Sequence, residues 1–148
     1  MKSIFAGEIR EPRAKDHARI AELAGQLMYA SSADDIAKRL QGIRHSDEHA
    51  VFVAELAGGE IAGWIAVFLY RTVEADTRAE VSGLVVDERY RSQGIGLHLL
   101  SRAEEWAREH GCRAIGLRSN VIRERAHAFY QRQGYQHVKT QKSFRKDL

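Results

Sequence analysis

The segment whose reading decides the fold is Glu80-Val81-Ser82-Gly83-Leu84-Val85-Val86-Asp87-Glu88-Arg89-Tyr90-Arg91-Ser92-Gln93-Gly94-Ile95-Gly96. Its apolar first half, residues 81–86, has the composition of a strand, and a long amphipathic helix pattern follows Gly96. Strand, glycine-bearing turn and helix together aim several backbone N–H groups and a helix N-terminus at one spot. That spot suits an anion, most naturally a pyrophosphate. Gly94 and Gly96 allow a tight turn and the close approach of a ligand to the main chain, and Arg91 adds a fixed positive charge.

Working outward, Leu99, Leu100, Ala103, Trp106 and Ala107 form one face of the helix, which Gly111 stops. Upstream, residues 4–10 read as a strand. Asp16 precedes Ile20, Leu23, Ala24 and Leu27 and is expected to cap a helix. Ser32 with Asp35 resembles a capping box and opens a second helix with Ile36, Leu40 and Ile43 inward. Residues 51–56 and 61–70 are strands joined by a hairpin at Gly58-Gly59, and residues 79–86 are the next strand. Residues 114–117 read as a short buried strand. Residues 123–133 read as a helix with Ala126, Phe129 and Tyr130 inward and Gly134 as its stop, and residues 135–144 as two closing strands. The order β-α-α-β-β-β-α-β-α-β-β implies an α/β fold, helices flanking a mixed sheet.

Length and composition fit a single domain over 1–148, with 44% hydrophobic and 29% charged residues and no linker or repeat. No apolar run approaches the ~20 residues of a membrane span. The opening residues 1–8 have too short an apolar core for a signal peptide, and a cytoplasmic protein is expected. Cys112 is the only cysteine, which excludes an intrachain disulfide and a multi-cysteine metal site. A formal charge of +3, with Lys and Arg interleaved among Asp and Glu, suits a small anionic ligand and argues against a nucleic-acid partner.

Three readings of the glycine turn compete. A mononucleotide-binding loop needs Gly-Lys-Ser/Thr, whereas Gly96 precedes Leu97-His98. A dinucleotide fingerprint needs a small residue where Leu99 stands, and an acidic residue after a second strand. The third reading is a plain strand-to-helix turn that happens to be glycine-rich.

The quoted stretch resembles the cofactor-binding segment of the GNAT superfamily of acetyl-CoA-dependent N-acetyltransferases. Arg91, Gly94 and Gly96 meet that family's Arg/Gln-x-x-Gly-x-Gly/Ala signature. Tyr130, Gly134 and Tyr135 meet its second hallmark, an aromatic-rich helix closing in Tyr-x-x-x-Gly-Tyr/Phe. The similarity runs over residues 79–135; upstream, Ile9-Arg10 and Asp16 fit the family's opening. The resemblance implies a mostly antiparallel sheet in which the strand before the turn parts from its neighbour. The main chain of Leu84, Val85 and Val86 would then hold the pantetheine arm and thioester of acetyl-CoA. Arg91, Ser92, Gln93, Gly94, Ile95 and Gly96 would grip its diphosphate. Tyr130 matches the general acid that protonates the departing thiolate. Glu80 is the candidate base for the acceptor amine, with Glu55, Glu74 and Asp76 as further carboxylates for an acceptor cleft. Where the family often has Asn, this chain has Arg123; Asn120, one turn earlier, is the candidate for that amide contact. Arg123, Arg125 or Arg132 would otherwise meet a phosphate.

Other residues read more plainly. His45 and His49 do not form His-Glu-x-x-His, and no metal is expected. Cys112, Trp64 and Trp106 read as packing residues. The acceptor is an amine of a small molecule or peptide, its identity not encoded in any motif. The competing function is a catalytically inactive acyl-CoA-binding sensor or assembly module of the same fold. A homodimer through an exposed edge of the C-terminal strands is a further expectation.

Overall fold

Alternation of apolar residues builds the central sheet. The strands are β1 (Gly7–Arg10), β2 (His49–Leu56), β3 (Ile61–Tyr70), β4 (Arg78–Val86) and β5 (Ile115–Leu117). The helices are α1 (His17–Gln26), α2 (Ala33–Arg44), α3 (Ile95–Glu109) and α4 (Glu124–Arg132). The computed structural model describes residues 4–148, so the first part of the signal-peptide reading lies outside the described residues. Two compact units are present, Met1–Leu117 and Arg118–Leu148.

In the first unit the sheet order is β1-β2-β3-β4-β5. All pairs are antiparallel except β4 with β5, which run parallel. Parallel neighbours need a crossover, and α3 supplies it. Cross-strand partners share a face. Val53, Trp64 and Val85 line one, Phe52, Ile65 and Leu84 the other. On the first face Val51, Val53 and Val85 pack with Ile20, Leu23, Ile36 and Leu40 of α1 and α2. α3 covers the second with Leu99, Leu100 and Ala103, all sealed from water, and its Arg102 guanidinium lies 4.4 Å from the centre of the Phe52 ring. The expected mixed, mostly antiparallel α/β architecture is present, with every element through α4 in the expected order.

Local chemistry explains most boundaries. Ser32 and Asp35 form the capping box at α2, each side chain 3.1 Å from the other's backbone N–H. α3 ends at Gly111, whose φ of +76° suits glycine. The Cys112 N–H donates to the Ala107 carbonyl at 2.9 Å and that of Gly111 to Arg108 at 3.0 Å, a Schellman motif. Asp16 behaves otherwise than expected. Its side chain makes no cap bond to α1; it accepts from the Arg13 N–H at 2.7 Å and from both terminal nitrogens of Arg10. A buried arginine needs a carboxylate partner, and that demand outweighs the capping role.

The strands expected over residues 135–144 are not formed: residues 135–148 have no strand. Their larger apolar side chains, Val138 and Phe144, are 85% and 89% exposed, so no apolar face holds a strand pair together. This segment therefore offers no strand edge of the kind the expected dimer would use.

Gly63 lies beneath α3. A Cβ there would sit 2.6 Å from the Val85 carbonyl oxygen and 3.1 Å from Leu99 Cδ1. Gly63→Ala is expected to destabilise the protein by about 1–3 kcal/mol, the usual cost of overpacking. Urea unfolding monitored by tryptophan fluorescence measures it.

Candidate active site

The turn between β4 and α3 is anchored before it begins. Asp87 is 2% exposed, and its N–H donates to the Ala62 carbonyl at 2.7 Å. Its carboxylate receives Arg89 through the backbone N–H at 3.0 Å and through Nη2 at 2.9 Å, and also receives Arg19. Arg89 and Tyr90 both donate to Glu60, and Arg19 Nε donates to the Ile61 carbonyl at 2.9 Å. The Arg89 guanidinium, followed by its backbone N–H and Arg19, holds the Asp87 carboxyl well below the usual carboxylate range against the opposing effect of burial.

Beyond this anchor the chain passes through two left-handed residues, Ser92 (φ +65°) and Gly94 (φ +86°). Ile95, 1% exposed, then plugs the start of α3 into the core. The His98 N–H makes the first bond back, to the Gly94 carbonyl at 3.0 Å, and no side chain caps the helix. The amides of Ile95, Gly96 and Leu97 thus open the helix ahead of its hydrogen-bond ladder, where an anion is favoured. Arg91 is exposed beside them, and Gln93 and Gly96 are half-buried.

The preceding strand changes character at Ser82. Ala66 pairs with Gly83 and Val67 with Val81, so Ser82 is an extra, bulged residue. The bulge has two consequences. Ala79 turns its N–H toward β5, to the Ala114 carbonyl at 3.1 Å, whereas Asp87, an even number of positions later, turns its own toward β3. Without the extra residue both would point the same way. Leu84 and Val86 therefore direct their main-chain groups away from β3, and Val85 directs its own toward β3. On the side away from β3, pairing with β5 spans only Ala79, Glu80 and Val81. Pairing of β4 with β5 thus ends at Val81, short of Leu84.

The second consequence concerns Glu80. Opposite Phe68, it lies on the α1–α2 face with Trp64 and Val85. In an unbroken strand it would share the α3 face with Leu84. Glu80 is 4% exposed. Arg78 Nε lies 3.4 Å from its Oε2, and the Arg78 guanidinium stacks 4.5 Å over the Tyr70 ring. Gly116 is its cross-strand neighbour on β5, and a Cβ there would come within 3.0 Å of Oε2. Phe68 and His49 stack with ring centres 5.9 Å apart, continuing an aromatic wall from Tyr70. Arg78, Tyr70 and Phe68 were not legible as site residues. Their signal was positional, a strand end opposite a candidate carboxylate.

Of the other carboxylates, Glu74 and Asp76 lie in the exposed loop at this end of the sheet. Glu55 does not. It pairs with Arg10 at the far end of β2, about 20 Å along the strand from His49. Among the described residues no group of three or more His, Cys, Asp or Glu is placed to hold a metal ion.

In the second unit, the Tyr130 motif is a helix stop. Gly134 has φ +90°; the Tyr135 N–H donates to the Tyr130 carbonyl at 3.0 Å and that of Gly134 to Gln131 at 3.1 Å. The Tyr130 and Tyr135 rings meet with centres 6.2 Å apart, the contact that accompanies a Schellman motif. The Tyr-x-x-x-Gly-Tyr spacing thus fixes where the Tyr130 side chain leaves α4. Burial pushes its phenol above the ordinary tyrosine range, with Arg123 pulling the other way. Asn120 is exposed, and its Oδ1 accepts from the Ile122 N–H at 3.1 Å, ordering the turn into α4. Arg123 stands at the N-cap position of the helix without a side-chain capping bond, and Arg132 lies exposed in its last turn.

With this geometry in view, comparison with known proteins is direct. The model of the acetyltransferase (GNAT) family matches residues 17–135. An aminoalkylphosphonate N-acetyltransferase of Salmonella typhimurium is 34% identical over 134 residues, covering 86% of this chain and 84% of that one. Glucosamine-6-phosphate N-acetyltransferase from Arabidopsis thaliana superimposes with a TM-score of 0.83 at 24% identity, over 96% of this chain and 99% of that one. An aminoglycoside N-acetyltransferase in complex with CoA gives 0.84 at 18% identity, over 97% and 96%. The two structural likenesses concern the fold.

The depressed Asp87 carboxyl contributes stability that is complete above the ordinary carboxylate pKa of about 4 and is lost as pH falls below it toward the folded-state value. Asp87→Asn is expected to lower stability at pH 7 by on the order of 3 kcal/mol, since it leaves Arg19 and Arg89 short of their shared partner. The gap from wild type should narrow below pH 4. Thermal melts from pH 7 to 3 measure both, and a gap independent of pH would contradict the assignment.

Proposed function

The chain belongs to the GNAT family of acetyltransferases, and from that premise we propose that it moves an acetyl group from acetyl-CoA to a primary amine by direct attack in a ternary complex. The observation that carries this reading is the uncapped N-terminus of α3, entered through left-handed Ser92 and Gly94 beside Arg91. Those amides match the charge of a diphosphate and suit one approaching along the main chain. Leu84 and Val86 offer the next contacts, because the Ser82 bulge turns their main-chain groups to the side where the β5 pairing ends. The pantetheine amides and the thioester carbonyl have the complementary donors and acceptors.

The chemistry then needs three proton transfers. An alkylammonium has a pKa of about 10 and must lose a proton before its nitrogen can attack the acetyl carbon. Glu80 takes that proton, directly or through a water; Arg78 pairs with its carboxylate, and the absence of a side chain at Gly116 leaves room for it. As the nitrogen–carbon bond forms, the carbon–sulfur bond breaks and the thiolate takes a proton from Tyr130; the second proton, shed by the nitrogen as it becomes an amide, restores the phenol by way of solvent. A phenol whose pKa is raised by burial stays protonated at neutral pH and is available to give it. The name of the Salmonella relative, aminoalkylphosphonate N-acetyltransferase, makes a small amine bearing an anionic group the first acceptor to try. Arg78, next to Glu80, places a cation near the candidate base to meet such a group.

A spectrophotometric thiol-release assay with acetyl-CoA against an amine panel that begins with aminoalkylphosphonates tests the reading. Tight CoA binding with no acetylation of any amine would instead favour a binding module. Tyr130→Phe is expected to lower kcat on the order of 100-fold while leaving CoA affinity nearly unchanged; equal losses in both would make Tyr130 a packing residue. For Glu80→Gln, kcat/KM should fall by a similar factor at pH 7, with the deficit shrinking toward pH 10 as the amine deprotonates unaided. A deficit constant with pH would remove Glu80 from the base role.

A further inference from the structure

We propose that residues 4–7 form a strap that fixes the orientation of the anion-binding turn, with Ile4 and Phe5 as positioning residues; this rests on the acetyl-CoA reading above. The Ile4 N–H donates to the Gln93 carbonyl at 3.2 Å. In a trans peptide the carbonyl of one residue and the N–H of the next point in opposite directions, and the described chain contains no cis peptide. Drawing the Gln93 carbonyl toward Ile4 therefore turns the Gly94 N–H the other way.

The turn needs such a lock. Gly94 sits at φ +86°, and glycine adopts negative φ about as readily. Rotation of the 93–94 peptide plane is thus inexpensive at Gly94 itself. The rotated form would exchange a donor for a carbonyl oxygen on the anion side and repel a diphosphate. Nothing in the turn's own sequence forbids that exchange, and the Ile4 amide opposes it from outside.

Phe5 holds the strap in place. Its ring lies against His98, in the first turn of α3, with ring centres 5.2 Å apart and planes tilted by 51°. Its edge crosses Gly7, where a Cβ would stand 2.7 Å from Phe5 Cε2 and 2.8 Å from Cζ. Gly7 in turn pairs with Leu56 in β1–β2. One end of the strap is thereby fixed to the sheet, the other to the turn and to the helix that the turn opens.

The test uses the full chain and calorimetric titration with CoA. Ile4→Pro removes the amide hydrogen, while Ile4→Ala keeps it and sets the baseline. The proline variant is expected to bind CoA ~5-fold more weakly than the alanine variant, the effect of one lost hydrogen bond. Hydrogen exchange across residues 93–97 in the apoprotein should be faster in the proline variant. Equal CoA affinity in the two variants overturns the strap. Should Ile4→Pro melt near the assay temperature, Phe5→Ala takes its place: a weaker CoA affinity with folding retained supports the strap, and an unchanged affinity overturns it. Wild-type protein that binds no CoA at all is a different result and overturns the acetyl-CoA reading itself.

Discussion

Asp87 is a charge that the fold has nearly sealed from water, and it ends the strand that leads to the candidate cofactor turn. A buried carboxylate is tolerable only with hydrogen-bonded cationic partners. Those partners come from distant parts of the chain: Arg19 from α1 and Arg89 from the turn, with Glu60 of the β2–β3 hairpin bridging to Arg89 and Tyr90. The requirement to satisfy one buried charge therefore joins a helix, a hairpin and the end of β4. The backbone leaves that junction in one direction, which decides where the amides opening α3 point.

The bulge at Ser82 is the second constraint, and it works through parity. In a strand both side chains and main-chain groups alternate, so one inserted residue reverses both patterns beyond it. Upstream, Glu80 and its neighbours pair with β3 and β5 in the ordinary way. Downstream, Leu84 and Val86 turn their peptide groups away from β3, and Glu80 lies on the α1–α2 face with Val85. A candidate catalytic carboxylate on one side of the sheet and peptide groups turned away from β3 are thus two results of a single register shift. Neither feature requires an unusual residue at the position where it appears.

The two sequence motifs have different physical meanings. Arg91-x-x-Gly-x-Gly encodes a backbone path, because Gly94 takes a left-handed φ at the entry to α3. Tyr130-x-x-x-Gly-Tyr encodes a helix stop: Gly134 takes the left-handed position, and Tyr135 packs on Tyr130 across it. Both were legible because left-handed positions favour glycine strongly and because apolar spacing at period 3.6 marks a helix face. The capping box at Ser32 and Asp35 was legible for the same local reason.

The resemblance singled out Glu80 and Tyr130 as candidates, while sequence alone determined the succession of strands and helices through α4, the glycine turn and the helix stops. Each depends on neighbours within one or two turns of chain. It misjudged Asp16, whose partner Arg10 outweighs a local cap, and residues 135–144, whose strand propensity finds no apolar face to bury. Only the tertiary structure decided that Glu55 is committed to Arg10, that Ser82 is the bulged residue and that Ile4 reaches Gln93. These facts depend on register between strands and on pairing of buried charges. Both are set by groups far apart in sequence, whose meeting leaves no periodic trace in the chain.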